Sequence, residues 1–275
     1  MKVLKFLGVF ILSFILFFTL LTTYVVSSIS QVLSHEGITN VVKSMDLITI
    51  LEDESGMGLE EAQKDVKKVK GFENYDVKAF VGSDEFAEVS ADVISKLVEK
   101  GTLSQDTINE IVDENFDKVY KAAKIKLSSK EKEEFKKNLK TTYYEQLSNS
   151  DSAGTIEFLS QVARAETLNF LIITNLIIIL LICLIKGIKT NWYKGIRAVS
   201  IVNLIVALGV LGFVNTILLT TTAEETGVLK NFGTALLQPF KSNAYIGITV
   251  SILTLILTIV YSIIKKNQPN QEETI

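Results

Sequence analysis

The chain has 275 residues, a net charge of −3, one cysteine and one histidine. A lone cysteine excludes an intrachain disulfide, and a lone histidine without thiol companions leaves no His/Cys cluster for a metal. Charge is unevenly spread: residues 29–165 hold 26 Asp/Glu against 18 Lys/Arg, an acidic balance that argues against nucleic acid, which needs clustered Lys/Arg.

Lys2 and Lys5 precede a run, 6–26, that contains no Asp, Glu, Lys, Arg or His. A helix needs about 20 apolar residues to cross a hydrocarbon core roughly 30 Å thick, so residues 1–28 are expected to form a first span. The small residues Ser27, Ser28 and Ser30 admit a rival reading as a cleaved signal peptide. Signal h-regions run about 7–15 residues, shorter than this run, and retention as an anchor is the expectation. Residues 27–36 are expected to extend the helix beyond the span.

Residues 29–165 read as a helical domain. His35, next to Glu36, is expected to be a solvated residue beside the membrane. Segment 46–52 fits a strand or a helix end. The acidic run Glu52-Asp53-Glu54-Ser55-Gly56-Met57-Gly58 looks like a calcium loop until it is aligned with the EF-hand pattern. Met57 then occupies a ligand position and Lys64 stands where a bidentate Glu belongs, so a solvated acidic turn is expected. A short helix follows around 59–69.

The best-marked helix is 84–100. Phe86, Val89, Val93, Leu97 and Val98 share one face, Ser83 is an N-cap, Asp84 and Glu85 lie in the first turn, and Gly101 ends it. Ser104 caps the next, whose stripe is Ile108, Ile111, Val112, Phe116, Val119 and Tyr120. Ser128-Ser129-Lys130-Glu131 is a capping-box pattern and opens a helix carrying Phe135, Leu139, Tyr143 and Leu147. A turn is expected over 148–154, then a helix over 155–165 running straight into the second span.

The run "DEFAEVSADVISKLVEKGTLSQDTINEIVDENFDKVYKAAKIKLSSKEKEEF" between flanking spans resembles the outer domains of uncharacterised four-span membrane proteins of low-GC Gram-positive bacteria. The resemblance covers about a quarter of the chain and contains no catalytic signature. It implies a bacterial cell membrane and nothing about activity.

Residues 168–185, 198–223 and 242–264 are also free of charged side chains and histidine, which completes four spans. Lys186, Lys189, Lys194 and Arg197 fill the link after span two, and Lys265 and Lys266 follow span four. With Lys2 and Lys5 these mark the cytoplasmic face, so both termini and the link are expected inside and 29–165 outside. Trp192, Tyr193, Tyr24 and Tyr245 fit aromatic anchoring at the headgroups. The expected architecture is all-α: four transmembrane helices (1–28, 166–187, 198–221, 243–264) with a helical extracytoplasmic domain (29–165) inserted between spans one and two. A cytoplasmic link (188–197), an outer loop (222–242) and a cytoplasmic tail (265–275) complete it. The outer loop contains Val228, Leu229, Phe232, Ala235, Leu236, Leu237 and Phe240, several at helical spacing, and a short amphipathic helix ended by Pro239 is expected there.

Inside the spans the informative residues are small or polar. Gly247, Ser251, Thr254, Thr258 and Ser262 form one stripe of span four, suited to close helix approach. In span three Ser200, Asn203 and Ala207 lie on one side, while Gly209, Gly212 and Thr216 face another neighbour. Asn175 and Asn203 are the most polar groups at depth, and the common use of such an Asn is as an interhelical hydrogen-bonding bridge. The expected helix-packing set is therefore Asn175, Asn203, Gly209, Gly212, Gly247, Ser251, Thr254 and Thr258.

Cys183 has no activating base nearby and reads as a packed small residue. No phosphate loop, nucleophile elbow or His-Glu-x-x-His occurs, and no charged residue sits deep in a span as in many ion-coupled transporters. The expectation is a non-enzymatic membrane protein without a cofactor, in contact with membrane lipid and presenting 29–165 to a protein partner. An alternative comes from topology. One outer domain followed by a three-span tail is similar to the layout of FtsX/MacB-type proteins, which couple to a cytoplasmic ATPase. The short link after span two departs from that layout by leaving an ATPase little to grip.

Overall fold

The structure is a computed structural model that describes residues 2–45, 47–48, 59–148, 152–187, 191–224 and 227–267. The acidic run 52–58, nearly all of segment 46–52 and Lys189 lie outside the described residues. Among those described, the chain is all-helical. The helices α1 (Lys2–Val32), α9 (Ala165–Lys186), α10 (Trp192–Glu224) and α11 (Gly227–Asn267) are long and apolar enough to cross a membrane. Between α1 and α9 run α2 (His35–Ser44), α3 (Leu59–Lys67), α4 (Val77–Val81), α5 (Asp84–Lys100), α6 (Gln105–Ala122), α7 (Ser129–Ser148) and α8 (Ser152–Ala163).

The chain divides into two compact units. One comprises Met1–Ser28, Ala165–Ile217 and Leu237–Ile275; the other comprises Ile29–Arg164 and Leu218–Leu236.

In the second unit α5 is the hub, packed against α2, α4, α6 and α8. Its ends follow from local chemistry. The Ser83 hydroxyl accepts the Phe86 N–H at 3.1 Å, and Gly101 closes the helix at φ +67°, where an L side chain is strained. Ser104 caps α6 by accepting from Thr107 N–H. The capping box of α7 is reciprocal: Ser128 N–H and hydroxyl both donate to Glu131, whose own N–H donates back to the serine oxygen. The core between α5, α6 and α8 is Leu97, Ile108, Ile111, Val112, Phe116 and Ile156, with Phe135, Leu139 and Tyr144 of α7 laid against it. Burying each such side chain stabilises by about 1.5–3 kcal/mol. On α7 Tyr144 packs inward on this core, while the expected Tyr143 stays 41% exposed.

Several elements depart from the sequence expectation. The helix of span one stops at Val32, and Ser34 caps α2 by accepting from Gly37 N–H. A Cβ at Gly37 would run into the carbonyls of Gln31 and Val32, so the tight α1–α2 turn needs glycine here. The helix leading to span two likewise breaks, at Arg164. The expected turn at 148–154 is only partly in view: Ser148 ends α7 and Ser152 already opens α8.

The expected helix end at Pro239 is a correction. α10 reaches Glu224, and α11 runs unbroken from Gly227 through Pro239 into span four. Proline removes one backbone donor, and a long apolar helix tolerates this where neighbouring groups re-satisfy the freed carbonyl.

Candidate functional site

The most concentrated uncharged polar chemistry lies between the long apolar helices of the first unit. Asn203 of α10 is its centre. Its Oδ1 accepts the Tyr24 hydroxyl of α1 at 3.2 Å, and its Nδ2 donates to Ser251 Oγ at 2.8 Å and to the Gly247 carbonyl at 3.3 Å on α11. One turn before Gly247 on α11, Asn243 Nδ2 donates to Ser28 Oγ at 3.0 Å. On the other flank Asn175 Nδ2 of α9 donates to Thr23 Oγ1 at 2.8 Å, and Thr23 passes its own hydrogen to the Thr19 carbonyl at 2.7 Å. Two bridges, which meet α1 at the adjacent Thr23 and Tyr24, thus tie all four long helices.

Beside this bridging is an open cavity of about 300 Å³ lined by Thr23, Tyr24, Ser27, Asn203, Asn243 and Gly247 together with the apolar Leu20, Ile246 and Val250. Its donors and acceptors are amides and hydroxyls. Asn243 and Ser251 lie about 12 Å apart along α11 at 1.5 Å per residue. Asn175 Oδ1 is buried without a hydrogen-bond partner.

Of the expected packing residues, Asn175, Asn203, Gly247, Ser251 and Thr258 come together in the bundle interior. Gly247 is where the phenol of Tyr24 lies; a Cβ there would overlap the ring oxygen and crowd Ala207. Ser251 and Thr258 are buried, and the Thr258 carbonyl accepts from Arg197 Nη2 at 3.0 Å. Thr254 is half-buried and bonds the Val250 carbonyl of its own helix.

Gly209 and Gly212 are corrections. Both are exposed, with nothing within 4 Å of a built Cβ. α10 buries instead the face of Val206, Ala207, Val210 and Val214, because the bundle covers only one side of this helix. Tyr24 is a second correction, its hydroxyl turned into the bundle at Asn203. Tyr193 is a third, buried against Tyr261. Cys183 is buried against the backbone of α10, where Gly195 permits the close crossing.

Sequence reasoning missed Thr23, Tyr24, Ser27 and Asn243. The signal was present: Leu20, Thr23, Tyr24 and Ser27 fall at i, i+3, i+4 and i+7 on one helix face. Asn243 likewise stands one turn before the Gly247–Ser251 stripe.

In the second unit several lysines pair with carboxylates. Lys136 and Lys140 both reach Asp113 at 2.7 Å, Lys132 reaches Asp117 at 2.7 Å, and Lys100 reaches Glu110 at 2.9 Å. Lys96 pairs with Glu114. These partners hold Asp113, Asp117 and Glu110 below their ordinary carboxylate range. Burial works against ionisation of Asp92, but Lys118 at 2.8 Å and His35 Nε2 at 2.9 Å outweigh it and lower its pKa. His35 is therefore a paired residue and not merely solvated. Among the described residues no group of three His/Cys/Asp/Glu side chains converges as a metal site.

The four apolar helices point to a multi-pass membrane protein. No protein-family model, no curated protein and no solved structure matches the chain.

Proposed function

We propose that the chain is a non-enzymatic, multi-pass protein of a bacterial cell membrane. Both termini are cytoplasmic, and residues 29–165 stand outside as a helical domain that engages another protein or assembles with one. The Lys/Arg excess at the 186–197 link and at both chain ends supports the orientation.

The observation that carries the interaction reading is an open apolar groove of about 420 Å³ in the second unit, lined by Ile94, Leu97, Val98, Leu147, Ile156 and Leu159 with Thr155. An open groove lined by apolar side chains on a water-facing domain suits an apolar segment of a partner. A photo-crosslinker installed at Ile94 is expected to trap a protein in intact cells, and one at Lys130 is not. Equal capture from both positions, or from neither, would remove the reading.

The cavity between the spans, with Asn203 and Asn243 in its lining, favours a second reading, a transport-linked subunit with FtsX/MacB-like topology that couples to an ATPase. Its test is co-purification of an ATPase with the full chain in gentle detergent, which the interaction reading does not require.

A further inference from the structure

Asn115 stands on α6 with 4% of its surface exposed. Its Nδ2 donates to the Ile111 carbonyl of its own helix at 3.2 Å, while its Oδ1 is buried with no hydrogen-bond partner among the described residues. A carboxamide oxygen taken out of water and left unbonded bears its full desolvation cost, and in folded proteins each such group calls for a reason. The other buried polar side chain of α6, Thr107, is satisfied, its hydroxyl bonding that of Ser104 at 2.9 Å.

Asn115 also lines a partly open cavity of about 110 Å³ between α5, α6 and α7, and it is the only amide side chain in that lining. Val93 of α5, Ile108 and Ile111 of α6 and Leu139 of α7 give the cavity apolar walls, and Tyr143, itself exposed, adds a phenol. The volume is somewhat below the roughly 150 Å³ of an apolar cavity that holds benzene, so there is room for one small ring or a short branched chain. Water suits the place poorly: a buried water settles where about two to four polar groups surround it, and these walls are mainly hydrocarbon. An occupant that satisfies both the walls and Asn115 is largely apolar and brings one donor.

We propose that this cavity binds a small apolar molecule carrying a single hydroxyl, of about the size of phenol. The hydroxyl donates to Asn115 Oδ1, and the carbon frame packs on Val93, Ile108, Ile111 and Leu139. A charged ligand would meet no counter-ion in the lining. A pure hydrocarbon would fill the space but leave the Asn115 carbonyl unbonded.

The full chain, isotope-labelled at its isoleucine methyl groups and reconstituted in lipid nanodiscs, would be titrated with phenol and, in parallel, with fluorobenzene, which has nearly the same shape and no donor. Both probes partition into lipid, so the free aqueous concentration would be measured in each sample. Phenol is expected to shift the Ile108 and Ile111 methyl resonances at an about tenfold lower free concentration than fluorobenzene, the scale of satisfying a buried acceptor. Asn115→Leu removes the carboxamide at similar side-chain length and is expected to erase the difference between the probes. Equal affinity for the two in the unmodified protein would overturn the proposal without reference to any variant. So would a preference for phenol that survives in Asn115→Leu, or the absence of any methyl shift with either probe. The cavity shares no lining residue with the groove at Ile94, so failure here and failure of the interaction reading are separate results.

Discussion

The phenolic hydroxyl of Tyr24 on the first long helix donates to the Asn203 carboxamide on the third at 3.2 Å, and the ring reaches it across a glycine. Gly247 supplies the space, since a methyl group there would coincide with the phenol. Gly247→Ala is therefore expected to destabilise the bundle by about 1–3 kcal/mol, the usual penalty of overpacking. Tyr24→Phe should cost less, about 0.6 kcal/mol for a lost interhelical hydrogen bond. Gly212→Ala, with open space around it, should cost nothing. Thermal unfolding of the purified full chain in one detergent would rank the three, and a Gly247→Ala protein as stable as the Gly212→Ala protein would contradict the geometry.

Gly101 offers a parallel test in the other unit. Its φ of +67° and a Ser160 oxygen 2.6 Å from a built Cβ leave no room for a side chain. Gly101→Ala should lose about 1–2 kcal/mol from the left-handed conformation alone. At Gly154, which is helical and unobstructed, alanine should gain up to about 1 kcal/mol. Hydrogen exchange of α5 and α8 amides would report both changes with opposite sign.

Acid should loosen α7. The Ser128 hydroxyl, Lys70 and the Ser128 N–H hold the Glu131 carboxyl down from 4.5 to about 2. A carboxylate whose folded pKa lies below its unfolded value stabilises fully above the unfolded value and ceases to do so as pH falls through the folded one. Protection of the first-turn amides of α7 should decline between pH about 4.5 and about 2, and Glu131→Gln should flatten that decline. Asp113, Asp117 and Glu110, also lowered by lysine partners, add the same sign. An identical pH profile in the Gln variant would show that the capping carboxylate plays no part.

The single cysteine is buried, which makes the chain ready for topology mapping. Lys130→Cys on α7 should react with an impermeant maleimide added outside intact cells, and Lys266→Cys should react only after permeabilisation. The reverse pattern would invert the proposed orientation.

The four long apolar runs and the caps of α5, α6 and α7 were legible in the amino-acid order because each depends on neighbours along the chain. A run of about 20 uncharged residues is long enough to cross. A hydroxyl lies three positions from the N–H it caps, and the glycine at 101 sits where a left-handed turn is required. α2 was not legible, because its amphipathic face holds little beyond Ile38, Val41 and Val42 and acquires its role only by packing on α5.

Which polar residues of different helices would meet was decided by tertiary structure. Helical period tells which side chains share a face, but not which neighbour that face receives. On that ground Gly209 and Gly212, equivalent in sequence to any packing stripe, ended outside the bundle, and Tyr24 turned inward to Asn203. Pro239 was tolerated mid-helix because α11 as a whole is long and apolar, a property no single residue carries. Hydropathy and capping are short-range and additive along the chain. Partner choice between helices depends on the simultaneous fit of four surfaces, and that exists only once the bundle has formed.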